Sequence, residues 1–206
     1  VETLQIKHDQ LSEAEQADYL EKVYGSTEKL SRLVDQLFEY TRLEAQQVKP
    51  DKEPFSILDL ALDLVSHFKV IADKKQLNIQ LKAPETLPLV FADIGLVERA
   101  MQNLLENALK FTPQGGEVVL ELRPSDKHVA IVVSDTGPGI AAADQPYIFD
   151  RYRQHDQQGK AEGAGLGLAI VKKIMELHNT TIRVVSEAEK GSKFLFDLPS
   201  YTTSTA

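Results

Sequence analysis

Asn103-Leu104-Leu105-Glu106-Asn107-Ala108-Leu109-Lys110-Phe111, Asp135-Thr136-Gly137-Pro138-Gly139 and Gly163-Ala164-Gly165-Leu166-Gly167-Leu168 follow one another in the second half of a chain of 206 residues. Asn103 and Asn107 are one helical turn apart, so both amides leave the same side of a helix, and Lys110 follows on that side. Asp135 ends the apolar run Val129-Ala130-Ile131-Val132-Val133, which puts a carboxylate at the end of a buried strand. A charge there is expensive unless it has partners. The third stretch begins as loop and ends as helix, where glycines leave exposed N-terminal amides accessible to anionic oxygens.

The surrounding sequence supplies the frame. Ser56 caps a helix with Ile57, Leu60, Ala61, Leu64, Phe68 and Ile71 on one face, and Leu77, Ile79 and Leu81 alternate with polar residues as in a half-exposed strand. A helix from about Asp93 to Leu109 ends at the turn Thr112-Pro113-Gln114-Gly115-Gly116. Val118 to Leu122 and Val129 to Ser134 read as adjacent antiparallel strands around Pro124-Ser125-Asp126. Leu166 to Leu177 reads as helix, and Thr181 to Ser186 and Lys193 to Leu198 as strands. The expected class is α/β, a two-layer sandwich of a mixed sheet covered by helices on one face. Residues 141 to 162 lack a clear period. A loop of roughly 20 residues in a compact domain is more often a functional lid than filler, and Arg151, Arg153, Gly159 and Lys160 suit a flap over phosphates.

Upstream, Ser12-Glu13-Ala14-Glu15 has the form of a capping box. From there Leu20, Val23, Thr27, Leu30, Val34, Leu37 and Thr41 alternate spacings of three and four, a heptad seam on about 30 helical residues, or roughly 45 Å. A helix lying on the following domain would share this pattern. The length of the seam and the linker-like Gln46-Gln47-Val48-Lys49-Pro50-Asp51-Lys52-Glu53-Pro54 favour a helical bundle made with a second helix or a second chain. The expected organisation is a partial helical hairpin over residues 1–46, mainly its second helix, a linker over 47–55, the sandwich over 56–199 and a flexible tail over 200–206.

Bulk composition narrows the chemistry. Apolar residues make up 42% of the chain, which is ordinary for a protein with one well-packed domain and an appendage. There is no cysteine, which excludes disulfides, thiol nucleophiles and thiolate metal sites. Acidic residues outnumber basic ones by 31 to 23 and the formal charge is -8, with Lys and Arg scattered, so no nucleic-acid partner is expected. No apolar run approaches the roughly 18 residues needed to span a bilayer, so no direct membrane contact is expected either.

A side-chain amide oxygen is a neutral ligand suited to magnesium, which usually keeps waters and nucleotide phosphates in its shell. A carboxylate is purely an acceptor, and an adenine amino group is one donor that would satisfy Asp135, with Gly137 and Gly139 permitting close approach to the backbone. The glycine run is not a dinucleotide fingerprint, because no strand directly precedes it.

In order and spacing, the chain from 56 to 199 resembles the ATP-binding domain of two-component sensor histidine kinases. Asn103 to Phe111 looks like the family's N box, Asp135 to Gly139 like its first glycine box, Phe149 to Arg153 like its phenylalanine box and Gly163 to Leu168 like its second glycine box. Leu37 to Ala45 resembles the end of the second helix of the family's dimerisation and phosphotransfer hairpin. The resemblance implies ATP and Mg2+ as cofactors, with Asn107 as the metal ligand and Asp135, Gly137 and Gly139 at adenine. Asn103, Lys110 and Arg151 would contact phosphates or the metal shell, with Gly163, Gly165, Leu166, Gly167 and Leu168 forming the phosphate-binding end of the lid. Asn103, Glu106, Lys110 and Arg153 are the implied catalytic set, and Phe149 an apolar anchor.

The implied partners are a second copy, through a four-helix bundle in the parent protein, and the receiver domain of a response regulator. The implied location is a cytoplasmic region, compatible with a parent anchored in the inner membrane. His8-Asp9 lacks the family's acceptor sequence and precedes the second helix directly, so the phosphoacceptor is expected upstream of Val1 and this chain is not expected to phosphorylate itself. His67, His128, His155 and His178 have no ligand-like or nucleophile-like neighbours. Two other readings share the motifs: a non-catalytic nucleotide-binding and dimerisation module, and a gyrase-like or chaperone-like ATPase. The latter place a glutamate four residues before the metal-binding asparagine, where this chain has Asn103, and an amide cannot act as a general base.

Overall fold

Ser12 starts the first helix reciprocally: its hydroxyl accepts from the Glu15 amide, and the Glu15 carboxylate accepts from the Ser12 amide at 2.9 Å. That helix, α1 (Glu13–Glu44), is followed by β1 (Glu53–Phe55), α2 (Ile57–Lys74), β2 (Asn78–Lys82), β3 (Val90–Ala92) and α3 (Ile94–Phe111). Then come β4 (Glu117–Pro124), β5 (His128–Asp135), a single 3-10 turn (Gln145–Tyr147), α4 (Gly167–Leu177), β6 (Arg183–Ser186) and β7 (Ser192–Pro199). The structure, a computed structural model, describes residues 12–45, 47–151 and 165–202.

The main sheet has the order β2-β4-β5-β7-β6, with β2 parallel to β4 and every other pair antiparallel. Its two-residue period sorts the side chains. Leu120, Val133 and Phe194 lie in one cross-strand row and Leu122, Ile131 and Phe196 in the next, all buried beneath the helices. Helix α3 answers with Val97, Ala100, Met101, Leu104, Leu105 and Ala108, the three-and-four spacing of a helix that buries one stripe. Each of these larger side chains contributes about 1.5–3 kcal/mol by leaving water.

Two segments depart from the sequence reading. Within the stretch read as linker, β1 pairs antiparallel with β3, matching Glu53 to Ala92 and Phe55 to Val90. The Asp51 amide also donates to Asp93 Oδ2 at 2.9 Å. Within the stretch read as tail, Ser200 bridges Val90, and Phe91 and Tyr201 stack with ring centroids 6.0 Å apart. Short strands that extend a small sheet carry too little periodicity to stand out from loop.

The heptad seam remains uncovered by the described residues: Leu20, Leu30, Val34 and Leu37 are each 42–61% exposed. The last two turns of α1 behave otherwise. Tyr40 and Leu43, off the seam, are buried in the core of the sandwich domain. The end of this helix therefore lies on the following domain, as one of the two sequence alternatives has it.

His178 closes α4 and ties it to the start of α3. Its Nε2 accepts from the Asp93 amide at 3.0 Å, and its Nδ1 lies 2.8 Å from the Ile174 carbonyl, to which the neutral ring donates. Burial pushes its pKa below the ordinary value, with Lys52 acting in the same direction. The unfolded chain therefore takes up this proton first as pH falls, so stability is full above about pH 6.5 and declines below it. Urea midpoints at pH 7.5 and 5.5 should show a drop that His178→Gln reduces, and an identical drop in both proteins would refute the assignment.

Candidate functional site

The strand that ends in Asp135 places its carboxylate on the inner face. The buried row Val129, Ile131 and Val133 continues, by the same period, to Asp135, which pairs across the sheet with Val118 on one side and Ser192 on the other. Asp135 is thus the last position of a core-facing row, at the end of the central strand. Gly137 donates its amide to Asp135 Oδ1 at 2.8 Å, and the Ser192 amide also reaches the carboxylate. Burial nonetheless raises the Asp135 pKa above the ordinary carboxylate value, because the two amides offset only part of the desolvation. A carboxylate offers about four acceptor positions, so two amides leave capacity for a further donor.

The first glycine stretch is fixed by the turn between β6 and β7. Ile140 donates its amide to Ser186 Oγ at 2.8 Å, and Glu189 donates to the Pro138 carbonyl at 2.6 Å. Gly139 has φ of +69°, and a Cβ there would lie 2.0 Å from the Glu187 carbonyl oxygen. Backbone packing therefore requires this glycine. A Cβ on Gly137 would meet Asp135 Oδ1 at 2.8 Å and the Phe111 carbonyl oxygen at 3.1 Å, which brings the end of α3 against this turn.

The other end of the site is set by α3 against α4. Asn103 is buried, and its Nδ2 donates to the Arg99 carbonyl at 2.9 Å. A Cβ added at Gly167 would lie 3.0 Å from Asn103 Oδ1 and 3.8 Å from Asn107 Nδ2. Glycine at the first residue of α4 thus lets the two helices approach at the asparagines. Leu166, the N-cap residue, is buried and makes no side-chain cap, while Leu168 and Gly165 are half-buried. The first amides of α4 are not capped by that side chain, an arrangement suited to anions.

All three motifs therefore meet on α3: Asn103 and Asn107 at Gly167, and Phe111 at Gly137. Asn107 is half-buried, while Glu106 and Lys110 are exposed, the Lys110 ammonium lying 4.9 Å from the Phe111 ring centroid. Phe149 packs edge-on against Phe194 with centroids 6.4 Å apart, as an apolar anchor would. Arg151 is held by α1, its guanidinium 2.9 Å from Glu44 Oε1 and 5.2 Å from the Tyr40 ring centroid. Arg153 and Gly163, with Gly159 and Lys160, lie outside the described residues.

Sequence reading missed Ser192, Glu44 and Glu39, the last of which takes an ion pair from Arg99 at 2.7 Å. Ser192 meets Asp135 only through strand register, and the two glutamates look like ordinary solvated positions of an amphipathic helix. Only Gly191, just before Ser192, carried a local signal.

A family model described as "Histidine kinase-, DNA gyrase B-, and HSP90-like ATPase" matches residues 92–202. "Sensor-like histidine kinase SenX3" of Mycolicibacterium smegmatis is 35% identical over 185 residues, covering 89% of this chain and 48% of that protein. "Adaptive-response sensory kinase SasA" of Microcystis aeruginosa is 32% identical over 206 residues, covering 98% of this chain and 54% of that protein. The chain thus spans about half the length of these curated relatives. Among solved structures, full-length ShkA in complex with AMPPNP superposes with a TM-score of 0.81 at 28% identity, over 96% of this chain and 42% of that one. The matched segment contains α3, Asp135 and the start of α4, and the chain belongs to the histidine kinase-, DNA gyrase B- and HSP90-like ATPase family.

Proposed function

We propose that this chain binds ATP with Mg2+ at the convergence on α3 and is the catalytic ATP-binding portion of a sensor histidine kinase. In that role the γ-phosphate passes to a histidine on a separate helix, and from there to an aspartate of a response-regulator receiver domain. The observation that carries the reading is the contact of all three motifs with one helix, with a partly satisfied carboxylate at one end and, at the other, a helix start whose N-cap Leu166 makes no side-chain cap.

The residues fit such a ligand. Asp135 accepts from the adenine amino group, and Asn107 supplies a neutral oxygen to the metal. The amides of Gly165 to Leu168, at the start of α4, bind phosphate oxygens, and Lys110 adds positive charge near them. Glu106, exposed beside Asn107, acts through solvent on the metal shell. Asn103 is buried against Arg99 and Gly167, a geometry that favours positioning the phosphate-binding turn over direct contact. When bound, ATP with Mg2+ supplies a transferable phosphoryl group and the cation that neutralises its oxygens. Asn103 in place of a general base disfavours simple hydrolysis by this chain.

Calorimetric titration with ATP should show Asn107→Ala weakening binding at least tenfold with magnesium and changing it little in EDTA. Equal affinity of this variant and the parent chain in magnesium would remove Asn107 from the site. Because burial raises the Asp135 pKa, affinity should also begin to fall, as pH is lowered, before an ordinary aspartate would protonate.

The exposed seam of α1 supports pairing with a second copy in a four-helix bundle. Leu30→Asp places a charge in the middle of that stripe and should shift sedimentation toward monomer at concentrations where the parent chain associates. An unchanged distribution would count against pairing through this face.

A further inference from the structure

Helices α3 and α4 meet at both ends of α4. Near the candidate site, glycine at position 167 lets the start of α4 lie against Asn103 and Asn107 of α3. At the far end, His178 follows the last turn of α4 and meets Asp93, the N-cap of α3. The chain turns there because Asn179 adopts φ of +56° and the Thr180 amide returns to the Met175 carbonyl at 3.0 Å. Ten residues separate Asp93 from Asn103 and eleven separate Gly167 from His178, about 15–17 Å along either helix. The helices therefore run antiparallel, and the two contacts together fix how far one can slide along the other.

The distal contact depends on a neutral ring. His178, only 5% exposed, donates from Nδ1 to the Ile174 carbonyl and accepts the Asp93 amide at Nε2. A proton on Nε2 would set a donor against a donor. The Asp93 carboxylate is engaged elsewhere, its Oδ1 accepting from the Leu96 amide at 3.0 Å and its Oδ2 from the Asp51 amide at 2.9 Å. Burial foremost, and then Lys52 just before β1, keep the ring neutral, against the Ile174 carbonyl and the Asp93 carboxylate. We propose that His178 is a positioning residue whose neutral ring holds the axial register of α4 on α3, and thereby sets the amides of Gly165 to Leu168 against Asn107 for binding phosphates. This rests on reading the site as an ATP site. Losing the tie lets α4 shift along α3, so the phosphate-binding turn leaves its place although no residue lining the site has changed.

The test uses the full chain at a temperature where the parent chain is folded, and it reads the two ends of α4 separately. Without nucleotide, lowering the pH from about 7.5 to about 5 should move the resonances of the Gly167 amide and the Asn103 side-chain amide along one titration curve with the His178 ring. His178→Gln, which keeps a donor and an acceptor, should remove that movement. With ATP and magnesium near neutral pH, His178→Ala should weaken binding about three- to tenfold, and His178→Gln less than about twofold. Resonances at Gly167 and Asn103 that ignore the ring, or a folded His178→Ala variant that binds ATP like the parent chain, overturn the proposal. Should His178→Ala not fold, the resonance comparison between the parent chain and His178→Gln decides it. ATP bound by neither the parent chain nor any variant, with Gly167 still following the ring, overturns the ATP reading and leaves the register tie standing.

Discussion

Asp135→Asn should abolish ATP binding in the calorimetric range, a loss of at least a hundredfold, while leaving the fold intact. The carboxylate is the last position of an inward-facing row, and its burial is offset only in part by the amides of Gly137 and Ser192. A site that hydrogen-bonds a ligand's amino group rejects what it cannot satisfy, because buried groups are then left unpaired. Asparagine has the same shape but can turn an NH2 group toward the adenine amino group, so a donor faces a donor. The same substitution removes a raised-pKa acid from a partly buried position, so thermal stability near neutral pH should hold or rise. A variant that unfolds would assign Asp135 a structural role, and a variant that binds ATP normally would remove it from the site.

Gly191→Ala should be, with Gly139→Ala, a severely damaging methyl addition. Gly191 has φ of +82°, and its Cβ would stand 2.0 Å from the Asp135 carbonyl oxygen and 3.1 Å from the Thr136 Cα. Both partners are backbone, so no side chain can rotate away, and the left-handed conformation adds its own strain. A loss of about 2–4 kcal/mol in urea unfolding is expected, together with displacement of Ser192 from the Asp135 carboxylate. Gly25→Ala is the matched comparison. It lies within α1 with nothing inside 4 Å of a new Cβ, so the better helix former should stabilise by about 0.5–1 kcal/mol. Similar stability changes at the two positions would contradict the packing described for the turn between β6 and β7.

The main elements were legible because their periods are strong. The capping box at Ser12, the apolar stripe of α3, the apolar runs of β4 and β5 and the alternation of β7 each point to one element locally. The small sheet of β1 and β3 was not legible, since three-residue strands make no period, and Ser200 joins it only through a chain that returns from β7. At the site, residue types pointed to the chemistry, but the reasons for some of them are non-local. Gly139 serves the backbone of Glu187, and Gly167 serves the approach of Asn103. Asn103 and Asn107 share a helical side in sequence, yet the packing of α4 buries the first and leaves the second half-accessible. Sequence reading allowed a helix lying on the domain but not the contacts that Glu39 and Glu44 make, because their partners Arg99 and Arg151 are 60 and 107 residues away.

Amide chemical-shift mapping with ATP and magnesium is the most direct measurement of whether the three motifs form one nucleotide site. Binding at the convergence on α3 predicts that the largest changes fall on Asn107 to Phe111, Asp135 to Gly139 and Gly165 to Leu168. Shifts confined to the exposed seam of α1, or no shifts at millimolar nucleotide, would contradict it.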